Sequence, residues 1–137
     1  MNDTLLSDAR AHLLADSELA ALIGNRLYPG AAPDGQCASD SYIVYLEASL
    51  VTDLSLAGAT GLRECRVQYD CYSKSKSEAF SIRERILGVF DGYFGQPVPG
   101  GVKILCAELS NLRSDYDHEE KIYSYSIDIT YHYIINT

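Results

Sequence analysis

The 137-residue chain has no tryptophan, a single methionine and four cysteines. Cys37, Cys65, Cys71 and Cys106 form no C-x-x-C pair and have no histidine at metal-ligand spacing, so no zinc site is expected. Also missing are a glycine-rich loop closing on Lys-Ser or Lys-Thr, a G-x-G-x-x-G and a G-x-S-x-G. These motifs cradle phosphates or present a serine nucleophile, and without them nucleotide use and the commonest hydrolase plan lose support. Basic residues are few: 11 Lys and Arg against 19 Asp and Glu, a formal net charge of −8. Gripping a nucleic-acid backbone needs clustered cations instead. No apolar run approaches the roughly 18 residues that span a bilayer. Met1-Asn2-Asp3-Thr4 offers neither a basic n-region nor an apolar h-region. The expectation is a soluble protein without enzymatic activity, cofactor or metal.

What is present is a foldable composition, 47% hydrophobic and 22% charged, above the low-hydrophobicity range of disordered chains. Residues 1–137 read as a single α+β domain with no linker or repeat. From Asp3 or Thr4 to about Ala15, Leu5, Leu6, Ala9, Leu13 and Leu14 recur at helical spacing. Asp16 or Ser17 caps a second helical piece, Glu18 to Ile23, stopped by Gly24. Pro29 to Asp40 carries Pro29, Gly30, Pro33, Asp34 and Gly35 and reads as a surface loop.

Tyr42 to Leu50 alternates as a strand, with Tyr42, Val44, Leu46, Ala48 and Leu50 on one side and Ile43, Tyr45, Glu47 and Ser49 on the other. A second strand, Arg63 to Tyr72, sets Cys65, Val67, Tyr69 and Cys71 against Glu64, Arg66, Gln68 and Asp70. Val51 to Gly61 is longer than a tight hairpin turn needs. Ser75 or Ser77 caps the main helix, whose apolar face is Ala79, Ile82, Ile86, Val89 and Phe90. Past the Gly/Pro connector from Gly92 to Gly101, Val102 to Leu109 reads as a third strand. The last strand puts Tyr123, Tyr125, Ile127, Ile129, Tyr131, Tyr133 and Ile135 on one face. The fold expected is helix-strand-strand-helix-strand-strand, a four-stranded, largely antiparallel or mixed sheet with helices on one face. Cys65, Cys71 and Cys106, all in alternating segments, are expected to behave as small buried hydrophobes.

One acidic cluster stands out: Asp115, Asp117, His118, Glu119 and Glu120. Oxygen and imidazole groups at this density can hold a divalent cation, but a solvated turn before the last strand explains them without a ligand. His12 and His132 lie beside no nucleophile and read as structural. Most of the eleven tyrosines fall at strand spacing, which suits packing under helices or at a subunit interface better than ligand stacking.

Four strings carry a resemblance: Leu19-Ala20-Ala21-Leu22-Ile23-Gly24-Asn25-Arg26-Leu27-Tyr28-Pro29, Tyr42-Ile43-Val44-Tyr45, Arg66 to Tyr72 leading into Ser77-Glu78-Ala79, and Ile127-Asp128-Ile129-Thr130-Tyr131. In this order and spacing they resemble the phage tail completion family, which includes tail terminators and tail-to-head joining proteins of long non-contractile tails. The likeness covers nearly the whole chain. It implies a virion subunit, assembled in the host bacterial cytoplasm, that closes into a ring, commonly hexameric, at the head-tail junction. Such a ring sits on the last tail-tube ring, stops tube polymerisation and presents a surface to the head connector. The implied partners are further copies of the chain, the tail tube protein and a head completion or connector protein, with no sequence-specific nucleic acid and no membrane.

On that reading the long hairpin loop is the first contact surface, through Thr52, Asp53, Leu54, Leu56 and Thr60, since a long loop beside a rigid sheet can order on docking. The acidic turn is the second, through Asp115, Asp117, Glu119 and Glu120, where negative charge in a channel wall would ease the passage of DNA. Two other classes compete: a non-viral adaptor that uses an exposed sheet face or edge, and a small metal-dependent enzyme with a pocket walled by Asp117, His118 and Glu120.

Overall fold

Local chemistry decides where the helices begin. In the computed structural model, which describes residues 4–36, 40–52 and 62–135, α1 spans Leu5–Leu14, α2 Ser17–Ile23 and α3 Lys76–Phe90. The Asp16 carboxylate accepts from the Leu19 N–H at 2.9 Å ahead of α2, and Ser75 Oγ from the Glu78 N–H at 3.2 Å ahead of α3. Each cap satisfies a donor that the first helical turn leaves orphaned. Leu5, Ala9 and Leu13 of α1, Leu19 and Ile23 of α2, and Ala79, Ile82, Ile86 and Phe90 of α3 are buried. The three apolar stripes cover one face of a single sheet.

That sheet has five strands, where four were expected. They are β1 (Leu27–Pro29), β2 (Tyr42–Val51), β3 (Leu62–Ser73), β4 (Lys103–Asp117) and β5 (Ile122–Ile134), in the spatial order β1-β2-β3-β5-β4. The β1–β2 pair is parallel and all others antiparallel. β1 escapes a sequence reading because three residues cannot show an alternation, and its last residue is an edge-tolerant proline.

Three bulges reset which side chains face the helices. Between Glu47 and Ser49 the register of β2 slips by one residue at Ala48, so Leu50 lies opposite Cys65 and shares the helix-covered face with Ile43, Tyr45 and Glu47. The expected grouping of Leu50 with Tyr42, Val44 and Leu46 is thereby corrected. β4 slips at Leu105 and again at Ser110. The first slip turns Cys106 onto the open face opposite His132, so this cysteine is exposed while Cys65 and Cys71 are buried. Burial pushes the Cys71 thiol up to about 12, which keeps it protonated and inert.

Polar ties hold the helices to one another and the connection before β1 to the residue that precedes β2. Arg85 of α3 grips the Asp16 cap through two hydrogen bonds of 2.7 and 3.1 Å, and Arg26 Nε donates to the Ser41 carbonyl at 2.8 Å. His12 packs against Phe90 and Tyr93 with ring centroids 5.5 and 4.8 Å away, and desolvation lowers its pKa. The hydrogen bonds from Arg85 are the main reason that the Asp16 carboxyl titrates below its ordinary 3.8. A depressed acid favours the folded state above its unfolded pKa, and that stability is lost as pH falls through the folded value. Melting temperature is therefore expected to drop as pH falls below about 4, and Arg85→Gln to flatten that acid limb; thermal melts of both proteins across pH 2 to 7 check this.

Candidate functional site

The helices described above lie on one side, and among the described residues no helix covers the other sheet face, which is largely polar. It runs from a stacked pair, Tyr42 and Tyr72, with centroids 5.0 Å apart and both phenols raised mainly by desolvation. In the middle, Asp70 accepts from Gln68 at 3.0 Å and Ser126 at 2.6 Å, and the hydroxyls of Ser110 and Thr130 meet across β4 and β5. His132 sits 3.6 Å from Glu64 and 3.9 Å from Glu108. Asp128, only 5% exposed, has Arg113 3.7 Å away and an Oδ1 without a hydrogen-bond partner among the described residues. Among the described residues no group of three or more His, Cys, Asp or Glu side chains is placed to hold a metal ion.

The acidic cluster divides between strand and turn. Asp115 and Asp117 belong to β4, where a turn was expected throughout, while Glu119 and Glu120 lie in the connection to β5. Asp117 Oδ1 accepts from the backbone N–H groups of Glu119 and Glu120 at 2.9 and 3.1 Å, the Asx geometry that closes a tight turn. Lys121 follows with a φ of 58°, its N–H donating to the Asp117 carbonyl at 2.7 Å. Asp117 thus serves the turn, and Asp117, His118 and Glu120 do not converge on a pocket of their own. Asp115 instead borders a cleft of about 390 Å³ with Lys76, Tyr116, His118, Tyr123 and Tyr125. In it Tyr116 lies 4.5 Å from Tyr123 and 4.8 Å from His118 between ring centroids.

At the opposite end of the sheet, Thr52 is exposed directly after β2, whereas Asp53, Leu54, Leu56 and Thr60 fall outside the described residues. Leu46, Leu50, Val51 and Leu62 near that end are 37–39% exposed. The acidic set and Thr52 therefore sit at opposite ends of the sheet, the one at the end of β4 and the other just past β2.

Sequence reasoning passed over the edge of β4. The segment after α3 bonds to its first half: Gly95 and Ile104 exchange both hydrogen bonds at 2.8 Å, Gly92 N–H donates to the Ala107 carbonyl at 2.8 Å, Ala107 N–H to the Tyr93 carbonyl at 2.9 Å, and Leu109 N–H to Asp91 at 3.1 Å. Beyond Ser110 no backbone partner covers the outer edge among the described residues. There the Leu112 N–H donates to Asn111 Oδ1 at 2.9 Å and the Tyr116 N–H to Asp115 Oδ1 at 2.8 Å. The signal is an Asx residue directly ahead of each apolar one, Asn111-Leu112 and Asp115-Tyr116, and it lies past Leu109, the end of the strand expected from sequence.

Comparison with known proteins adds three findings. Residues 8–134 match the profile of a family described as "Tail completion protein gp17". No curated protein matches the chain. Among solved structures, a chain from "Virion of native gene transfer agent (GTA) particle" is similar over 95% of this chain and 94% of its own, with a TM-score of 0.69 and 15% identity. At that identity the likeness is one of fold.

Proposed function

The chain belongs to the tail completion protein gp17 family, and on that premise we propose that it caps the tail tube of a long-tailed phage, stops tube polymerisation and forms the ring that joins the tail to the head connector. It is a structural protein of a phage virion. The observation that carries the finer role is the family match, which runs through every helix and strand from α1 to β5. The geometry supports it. A one-sided α+β layer with bare edge stretches and a bare polar face has surface to give to neighbours above, below and beside it. In this role copies of the chain, commonly six, are the lateral partners, and the tube protein and the head completion protein are the axial ones. The acidic set and Thr52, with Asp53, Leu54, Leu56 and Thr60 beyond it, are their candidate contacts. The role needs no catalytic residue.

Electron microscopy of particles from a phage lacking this gene tests the role. Overlong or unjoined tails, restored to joined particles when the purified protein is added to the extract, are the expected result. Normal joined particles without the gene would remove the proposal.

A further inference from the structure

Among the described residues the sheet has two stretches of edge without a backbone partner, at opposite ends and on opposite sides. On β4 the stretch is Ser110 to Asp117, past the cover supplied by Asp91 to Gly95. On β2 it is Glu47 to Thr52, past the cover supplied by β1, whose last contact is the Gly30 N–H donating to the Tyr45 carbonyl at 2.8 Å. β2 and β4 run antiparallel, since each of the steps β2–β3, β3–β5 and β5–β4 reverses direction. Shifting one copy along the strand direction therefore brings the bare end of its β2 against the bare end of β4 on another.

The backbone positions match. On β4 the residues that point N–H groups outward are Leu112 and Tyr116, whose donors turn to side chains, with Ser114 between them by strand alternation. On β2, Ile43 and Tyr45 bond outward to Arg26 and Gly30; Glu47 continues that alternation, after the slip at Ala48 it passes to Leu50, and one further step of strand alternation carries it to Thr52. Pairing Glu47 with Tyr116, Leu50 with Ser114 and Thr52 with Leu112 sets three outward positions against three. It also seats the exposed Leu50 between Leu112 and Tyr116. Glu47 arrives beside the tyrosine cleft that Lys76 lines, an opposite charge.

We propose that the end of β2 of one copy and the residue after it, from Glu47 to Thr52, add antiparallel to β4 of the next, from Leu112 to Tyr116, and that this contact closes the ring. The inference rests on the ring reading above and names its lateral contact. The occupant is a second copy because one repeated head-to-tail contact satisfies both stretches. A twofold β4–β4 pairing leaves β2 and its exposed leucines open to further strands. Asn111 and Asp115 guard the edge in the free subunit, holding two of its three donors until carbonyls of the incoming strand replace them.

Two sets of variants test this in the deletion extract. Ser114→Pro removes an outward donor and leaves the ladder to β5 intact. It is expected to melt like the parent yet to lower the yield of joined particles by on the order of tenfold, while Ser114→Ala rescues normally. Separately, a chain with Cys37 and Cys106 replaced by serine carries Ser49→Cys and Asp115→Cys together. Treated with a short bis-maleimide in rescued particles, it is expected to yield a ladder of linked copies, and neither single cysteine to yield one. Normal rescue by Ser114→Pro, rescued particles without a ladder, or a dimer from Asp115→Cys alone each overturns the edge pairing and leaves the tail role standing. Failure of the unmodified protein to restore joining is instead the failure of the ring reading itself.

Discussion

Tyr131→Ala is expected to cost about 3–5 kcal/mol of stability, a large share of the roughly 5–15 kcal/mol that holds an ordinary domain together. Tyr131 lies on β5 with no exposed surface, and Phe90 of α3 meets its ring edge-on at 5.2 Å. Across β3 its hydroxyl is hydrogen-bonded to that of Tyr69 at 2.7 Å, and both side chains are fully buried. Desolvation is the main reason that both phenols stay far above their ordinary pKa, so the pair remains neutral through any pH at which the particle assembles. A truncation empties the place where α3 meets the centre of the sheet. The hydroxyls add a separate effect. Tyr131→Phe keeps the packing but strands the Tyr69 hydroxyl, which should cost about 1–3 kcal/mol. Tyr69→Phe with Tyr131→Phe removes donor and acceptor together and should fall well below the sum of the single losses. Urea unfolding of the parent, Tyr131→Ala, Tyr131→Phe, Tyr69→Phe and the double Phe variant checks the pattern: Tyr131→Ala should shift the midpoint furthest while the slope stays constant. A double variant as unstable as the two single losses added would show that the hydroxyls are satisfied independently of one another.

The central strands and α3 were legible because each has one face in the core and an unbroken period. β3 alternates buried and open side chains from Cys65 to Cys71, and β5 alternates apolar and polar residues from Ile127 to Tyr133, with the polar Asp128 also buried. The edges were not legible, for a physical reason. β4 carries two bulges, and an extra residue inverts the in-out pattern each time, so Leu105 and Ser110 break the period that a sequence reading depends on. Ala48 does the same within β2, and β1 is held by parallel pairing with β2 over three residues only. Of the candidate contacts, the acidic residues were found by composition, but their roles are set by backbone geometry: Asp117 closes a turn and Asp115 caps an edge donor. Glu47, Leu50 and Ser114 carry no chemical signature and become candidates only once the two bare edges are placed at opposite corners of one sheet.

Those corners depend on a strap, and the strap depends on a glycine. Gly101 packs so closely under α1 that an added Cβ would collide with Asp8 Oδ2 and stand 2.9 Å from its Cγ and 3.1 Å from the Val98 carbonyl. Asp8 has nowhere to go: it is 6% exposed, and the same oxygen accepts from the Thr4 hydroxyl and from the Val102 N–H, both at 2.9 Å. Gly101→Ala must break this joint between α1 and the start of β4, at an expected cost of about 2–3 kcal/mol. Asp8→Ala leaves the buried Val102 N–H without its acceptor, at about 1–3 kcal/mol, and makes room for the methyl group. The double variant should therefore cost less than the two losses added. The joint anchors the end of the connector whose earlier part, Tyr93 to Gly95, covers Ile104 and Ala107. If it loosens, the bare edge of β4 lengthens, and next to it lie Phe94 and Leu105, 76% and 45% exposed. Gly101→Ala should thus combine a lower melting temperature with aggregation below that temperature, the behaviour of an uncovered edge strand. Calorimetry and light scattering on the same samples separate the two effects. A variant that melts early yet stays monodisperse until it melts would show that the connector holds its place without the Asp8 anchor.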